Sequence, residues 1–300
     1  MSIIRMEQVS KQVGELSIGP MNVDIPAGST VAVIGDNGSG KSTLLKMILG
    51  LIKADSGSIQ LFGKERQLGD HSWRERIAYQ PQVMTGCGRL TGEEILALTA
   101  HFSPAFDHQR FNRSMQALQI SLNRRLDSLS PGSQKKWMLA LTMAQRKDLL
   151  LLDEPAASID LLAQKFIIDE LVDLMEEDAE RTILFTSHQL HDIHKLADYL
   201  LFIRQGALLG LFEKDDLASK FVRYWLDRPL DCRLPGVIRT SQDRREVISY
   251  HAHAFEQELN LTDSRVIRKI NIGLEEVIPG ILSGELDLSG CHDQQDAVTV

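Results

Sequence analysis

Cysteine is scarce: Cys87, Cys232 and Cys291 are the only three in 300 residues. They are odd in number and too far apart for paired metal-ligand spacing. That excludes a disulfide framework and fits a reducing cytoplasm. Long apolar runs are lacking as well. Nothing approaches the ~20 residues needed to cross a bilayer, and the most conspicuous run, Leu149–Leu152, meets Asp153 at once. If the chain works at a membrane, another chain must do the crossing. The start, MSIIRMEQVSKQ, has no apolar core behind a basic segment, so no secretory signal is expected and the mature chain is expected to begin there. Excess positive charge is missing too. The 33 Lys and Arg against 41 Asp and Glu give a net charge of −8, which argues against a coat for nucleic acid or anionic lipid. No nucleic-acid partner is expected, and any phosphate must be gripped locally. What is present is ordinary globular composition, 43% apolar and 25% charged, without internal repeats, which excludes a disordered chain.

Residues 1–35 show period-two patches broken by Gly19-Pro20 and Pro26-Ala27-Gly28. They predict a small antiparallel sheet leading into a core strand at Thr30–Ile34. A glycine-rich loop then opens a helix over Ser42–Leu51. A short strand is expected at Arg76–Gln82, and helical periodicity follows over Thr91–Ser103 and Phe111–Ile120. This marks an inserted helical subdomain, at about 90–145. A helix at Ser133–Arg146 feeds Leu149–Leu152, an apolar strand of the kind buried on both faces. Helices at Leu161–Glu177 and Leu190–Asp198 alternate with strands at Thr182–Thr186 and Tyr199–Ile203. The expected fold class is α/β: a mostly parallel sheet flanked by helices, with an amino-terminal antiparallel subdomain.

Composition shifts after Lys220. Pro229, Pro235 and Pro279 punctuate short strand-like runs at Gly236–Arg239 and Glu246–His251 and one helical run at Asp263–Ile270. We expect a small α+β domain at 222–300 behind a main domain at 1–221. From Pro229 onward seven Arg and Lys oppose twelve Asp and Glu, so most of the net charge sits there. His251 and His253 alternate on one face of an expected strand, but no third ligand has suitable spacing and no metal site is assigned. Glu285, Asp287, Asp293 and Asp296 read as a solvated acidic tail.

Gly35-Asp36-Asn37-Gly38-Ser39-Gly40-Lys41-Ser42-Thr43 follows an apolar strand and opens a helix, the context a phosphate loop requires. Glycines allow backbone N–H groups to turn inward toward phosphate oxygens, with a helix dipole behind them. Lys41 adds a point charge between phosphates, and Ser42 a hydroxyl ligand for Mg²⁺. The alternative is a glycine-rich turn that only caps a helix. Leu149–Leu152 delivers Asp153 and Glu154 at the carboxyl end of a strand beside this loop. Asp153 is expected to hold Mg²⁺, directly or through water, and Glu154 to accept a proton from the attacking water. Alternatively, Asp-Glu-Pro simply ends a strand in solvent.

Together these residues resemble the nucleotide-binding domain of the ATP-binding cassette (ABC) family over about 1–220. The resemblance implies a P-loop NTPase core that binds ATP and Mg²⁺ and hydrolyses ATP. It makes Tyr79-Gln80-Pro81-Gln82 similar to the family's Q-loop, with Gln82 touching Mg²⁺ and the attacking water. Leu129-Ser130-Pro131-Gly132-Ser133 stands at the signature, with Ser130 and Gly132 as γ-phosphate contacts. Asp160 matches the D-loop aspartate and His188 the switch histidine. Val13 falls where an aromatic residue usually stacks on adenine, offering apolar contact without a ring. Pro131 and Ser133 replace the usual glycine and glutamine, yet proline suits the first helical position after Ser130 as N-cap.

The family mechanism implies a head-to-tail dimer, homomeric or heteromeric, in which the signature of one subunit meets ATP on the other. His101-Phe102-Ser103-Pro104 with the helix after it resembles the ABC-2 type exporter group. That implies a separate multi-span membrane subunit, docked near Gln82 and 90–125, and a peripheral place on the cytoplasmic face of the membrane. A soluble non-transport cassette ATPase and a nucleotide-gated regulatory protein are the alternatives. A single phosphate loop argues against the tandem-cassette translation type.

Overall fold

Along the central strands, alternate side chains serve two different cores. Val31 and Val33, Leu149 and Leu151, and Leu184 pack to one side, while Ala32, Leu150, Leu152, Ile183 and Phe185 pack to the other. A strand apolar on both faces needs cover on both, and that dictates a layered molecule. The computed structural model describes residues 1–66, 69–232, 234–286 and 288. Asp287, Cys291, Asp293 and Asp296 lie outside the described residues.

β1 (Ser2–Val13) and β2 (Leu16–Pro26) form an antiparallel hairpin, and β3 (Thr30–Ile34) enters the core and leads into α1 (Lys41–Ile48). β4 (Ser56–Leu61) and β5 (Lys64–Glu65) complete a sheet of order β2-β1-β4-β5. Leu44, Leu45, Met47 and Ile48 of α1 are buried between this sheet and the central one. β6 (Ile77–Gln80) precedes the helical block of α2 (Gly92–His101), α3 (His108–Ala117) and α4 (Pro131–Ala144). β7 (Leu149–Asp153), α5 (Leu161–Glu177), β8 (Thr182–Thr186), α6 (Leu190–Leu196), β9 (Tyr199–Arg204) and β10 (Ala207–Glu213) follow. The central sheet has the order β10-β9-β3-β8-β7-β6. Its strands are parallel except for β10, which runs antiparallel to β9 at the edge.

Local chemistry starts the helices where they start. Thr91 and Glu94 form a reciprocal capping box on α2, and Asp107 accepts the Arg110 N–H at 2.8 Å to begin α3. α3 is tied to α5 by charge. Arg110, itself buried, donates to Glu170 at 2.8 Å and pairs with Glu177, and Arg113 also donates to Glu170.

After α7 (Lys214–Lys220) come β11 (Val222–Leu226), β12 (Val237–Thr240), β13 (Glu246–Ser249), α8 (Ala252–Leu259), β14 (Val266–Asn271) and α9 (Leu274–Ser283). The strands make an antiparallel sheet of order β12-β13-β11-β14. One face packs Val222, Tyr224 and Val247 on Phe255 and Leu259 of α8. Ile248, Tyr250 and Ile272 instead join the core of the main sheet, together with α9.

Three expectations for this region are corrected. The run Asp263–Ile270 is not helical; Val266–Asn271 is a strand paired with β11. Val266, Ile267 and Ile270 have spacing that fits a helix face, but they are β-branched and the edge of β11 supplies a partner. Helix instead forms at Leu274–Ser283, through Pro279. There Leu274, Val277, Ile278 and Ile281 recur at helical spacing and are buried, and that burial outweighs one lost backbone bond. His251 and His253 do not alternate along a strand: His251 is the N-cap of α8 and His253 lies inside it, bonded to Gln257 at 2.9 Å.

Candidate functional site

Four neighbouring parallel strands release their chains at one edge of the sheet. The glycine loop follows β3, Gln82 follows β6, Asp153 and Glu154 close β7, and His188 follows β8. This is where an open α/β sheet places a ligand.

The loop is shaped by its glycines. Gly38 and Gly40 have φ of +79° and +106°, a region side chains rarely adopt. At Gly35 a Cβ would lie 2.3 Å from the Ile203 carbonyl oxygen, so any larger residue would push the loop off β9. Lys41, the first residue of α1, folds back so that Nζ donates to the carbonyls of Gly35 at 2.7 Å and Asp36 at 2.9 Å. Burial lowers its pKa, against the opposing pull of Glu154, Asp153 and Asp36. Ser39 is buried, and its Oγ has no partner among the described residues.

A cleft of about 470 Å³ brings Asn37, Gly38, Gly40, Lys41, Ser42 and Thr43 together with Gln82, Glu154 and His188. Glu154 Oε1 lies 3.6 Å from His188 Nδ1. Glu154 holds φ at +50°, an uncommon backbone state for a non-glycine residue, and its N–H donates to Thr186 Oγ1 at 2.8 Å. The same hydroxyl donates to Asp153 Oδ1 at 2.8 Å, and Asp153 is only 2% exposed. Lys135 Nζ reaches under the turn, donating to the carbonyls of Glu154 at 2.9 Å and Ala157 at 3.0 Å.

Ser42 and Gln82 also border a second cleft of about 590 Å³, where Asp153 joins them, between Tyr79 on the core and Trp137, Met138 and Leu141 on α4. Burial, with Asp153 nearby, pushes the Tyr79 phenol up to about 12. Gly35 and Asp36 border a third cleft, shared with His188.

The remaining candidates sit apart from these clefts. Ser130 is the N-cap of α4, accepting the Ser133 N–H at 3.2 Å, with Pro131 at the first helical position. A Cβ on Gly132 would meet the Ser158 carbonyl oxygen at 3.1 Å, so the start of α4 and the segment before α5 lie against each other. Asp160 caps α5 through the Ala163 N–H at 3.0 Å and pairs with Lys136, which lowers its pKa. Val13 ends β1, 41% exposed, opposite Leu16, and it is Leu16 that lines the 470 Å³ cleft.

Sequence reasoning missed Leu16, Thr186 and Lys135. Leu16 was within three residues of the position singled out, and Thr186 ended an expected strand. Lys135 carried no signal, because only the fold brings α4 beneath the turn after β7.

The fold and this loop define a phosphate-loop nucleotide-binding protein. The ABC transporter family profile matches residues 18–157. A probable metal transport system ATP-binding protein of Chlamydia trachomatis is 34% identical over 198 residues, covering 60% of this chain and 72% of that protein. The ABC transporter ATP-binding protein YtrB of Bacillus subtilis is 29% identical over 234 residues, 77% of this chain and 79% of that protein. A solved ATP-binding cassette, dimeric and bound to ADP and Pi, superposes with a TM-score of 0.61 at 21% identity, over 70% of this chain and 98% of that one. The chain belongs to the ABC transporter ATP-binding family, whose cassettes bind ATP.

Proposed function

We propose that this chain binds ATP with Mg²⁺ in the 470 Å³ cleft, hydrolyses it, and drives a separate multi-span membrane subunit in the export direction. One observation carries the reading: Lys41, Ser42, Gln82, Glu154 and His188, from four separate segments, converge on one cleft.

The residues fit both groups. The open side of Gly38, where a Cβ would touch nothing within 4 Å, leaves room for a polyphosphate against the loop's N–H groups. Ser42 and Gln82 line the 470 Å³ cleft and the adjoining one that Asp153 borders, and the three offer oxygen donors of the kind Mg²⁺ takes where the two clefts meet. When bound, Mg²⁺ supplies charge neutralisation on the phosphates. Lys41 exchanges its loop carbonyls for phosphate oxygens. Glu154 accepts the proton of the attacking water, and His188 faces the same space beside it.

A second cassette subunit, identical or related, pairs head to tail, so that Ser130 and Gly132 of each face the nucleotide on the other. Pro131 keeps this helix start intact, which supports an anion contact despite the altered signature. The membrane subunit docks at the 590 Å³ cleft beside Gln82 and the helical block, and places the chain on the cytoplasmic face of the membrane. Among the described residues no helix is long and apolar enough to cross a membrane. Residues 222–300 act as an accessory domain. The export direction rests on the sequence resemblance. Relatives named for import include a petrobactin import ATP-binding protein of Bacillus anthracis and a ribose import ATP-binding protein of Corynebacterium glutamicum.

Detergent co-purification of the tagged chain tests the reading. A multi-span protein is expected to accompany the wild type and to be lost with Met84→Glu or Leu141→Glu in the docking cleft. A chain that brings down no membrane protein contradicts it. Cells lacking the chain are expected to retain more of the cargo; lower retention would mean import.

A further inference from the structure

The cleft that shares Asn37 and His188 with the nucleotide site opens to about 560 Å³ and is walled by Leu190 and Ile193 of α6 and by Ile278 and Leu282 of α9. α9 lies well beyond the family match, which ends at 157. It is anchored from both sides: His194 pairs with Glu275 at 3.0 Å, and Arg204 donates to the Ile281 carbonyl at 3.1 Å. α9 therefore adds a second apolar wall, facing Leu190 and Ile193 of α6, to a cleft whose remaining lining is the segment 34–37 and His188.

The same chain carries a matching projection. Leu161 and Leu162, the first residues of α5, are 74% and 81% exposed, among the largest such values for an apolar side chain here. They follow Asp160 directly and so stand beside the signature, through the Gly132–Ser158 contact and the Lys136–Asp160 pair. Two adjacent exposed leucines at the start of a helix gain nothing from solvent, and an apolar projection beside one functional edge points to a partner surface.

We infer that in the closed dimer Leu161 and Leu162 of one copy seat in the α6–α9 groove of a second copy of this chain. The inference rests on the head-to-tail pairing proposed above. That pairing brings the signature edge of each copy to the nucleotide cleft of the other, and the groove continues that cleft through Asn37 and His188. Two-fold symmetry repeats the contact, leucines into groove and groove over leucines, on both sides of the axis. The accessory region thereby becomes part of the ATP-dependent interface and favours pairing with a chain that has both features.

Disulfide cross-linking of the full chain tests this, in a Glu154→Gln background to hold ATP and with Cys87, Cys232 and Cys291 changed to Ser. Leu162→Cys with Leu282→Cys is expected to give an intermolecular bond that requires Mg-ATP. Ser133→Cys with Asn37→Cys reports the head-to-tail pairing itself. A bond in the second pair without one in the first overturns the inference and leaves the pairing standing; no bond in either overturns both. Independently, Leu161→Asp with Leu162→Asp, which suits a helix amino terminus, is expected to weaken ATP-dependent dimerisation by about tenfold or more. Unchanged dimer affinity in sedimentation also overturns it.

Discussion

Thr186 Oγ1 stands 2.8 Å from Asp153 Oδ1, donating to the carboxylate while it accepts the N–H of Glu154 at 2.8 Å. One hydroxyl at the end of β8 thus fixes both acidic residues at the end of β7. The register makes this unavoidable, since Asp153 pairs directly with Thr186. Thr186→Val keeps the shape and removes both bonds. Activity is expected to fall about 10–100-fold, as for other groups that orient metal or catalytic ligands. Stability should fall by about 1–3 kcal/mol for the buried carboxylate left short of a donor. Thr186→Ser is expected to restore most of the rate, and steady-state ATPase assays with thermal melts separate the two effects.

The α3–α5 junction gives a stability prediction independent of catalysis. Arg110 and Glu170 are both buried, and Arg110 Nε has no partner among the described residues. Arg110→Ala leaves a buried carboxylate with one cation fewer and is expected to cost about 3–5 kcal/mol in denaturant unfolding. Arg110→Met with Glu170→Leu is expected to recover most of that loss, because a buried ion pair and a well-packed apolar pair are often close in stability.

Asp192, on α6 just after His188, is held above the ordinary carboxylate range by burial, opposed by its Ser187 bond and by His191 and His188. Its folded pKa lies above its unfolded value. Stability from this group is therefore complete below the unfolded value and is lost as pH rises through the folded one. Asp192→Asn is expected to be more stable than the wild type at pH 7, by up to about 1 kcal/mol. The gap should close below about pH 4. Melts across that range check both sign and window.

Asp107 shows the opposite sign. The Arg110 N–H is the main cause holding it below the ordinary carboxylate range, with help from Arg146 and Arg110 charges. Its contribution is present above the unfolded value and lost as pH falls through the folded one. Asp107→Ala is expected to cost about 1 kcal/mol at pH 7, with the difference shrinking in acid.

The central sheet and its loop were legible because their signals are local. An apolar run such as Leu149–Leu152 has few other uses, and Gly-Lys-Ser after a strand fixes both backbone shape and charge. The carboxyl-terminal region was not legible in the same way. Val266, Ile267 and Ile270 fit a helix face or a strand equally, and only the open edge of β11 decided. α9 was hidden by Pro279, whose local penalty is overcome by burial against a core the sequence does not reveal. In the site, Val13 was singled out where Leu16 lines the cleft, because the turn between paired strands changes which side chain points inward. Thr186 and Lys135 matter through register and helix placement, properties of the fold rather than of any motif.

The proposed function requires Glu154 to be the proton acceptor for ATP hydrolysis. Single-turnover hydrolysis of bound ATP by the purified Glu154→Gln chain tests this directly, with nucleotide binding measured on the same sample. The predicted result is unchanged ATP affinity and a rate at least about 100-fold below the wild type. Hydrolysis at the wild-type rate in that variant would contradict it.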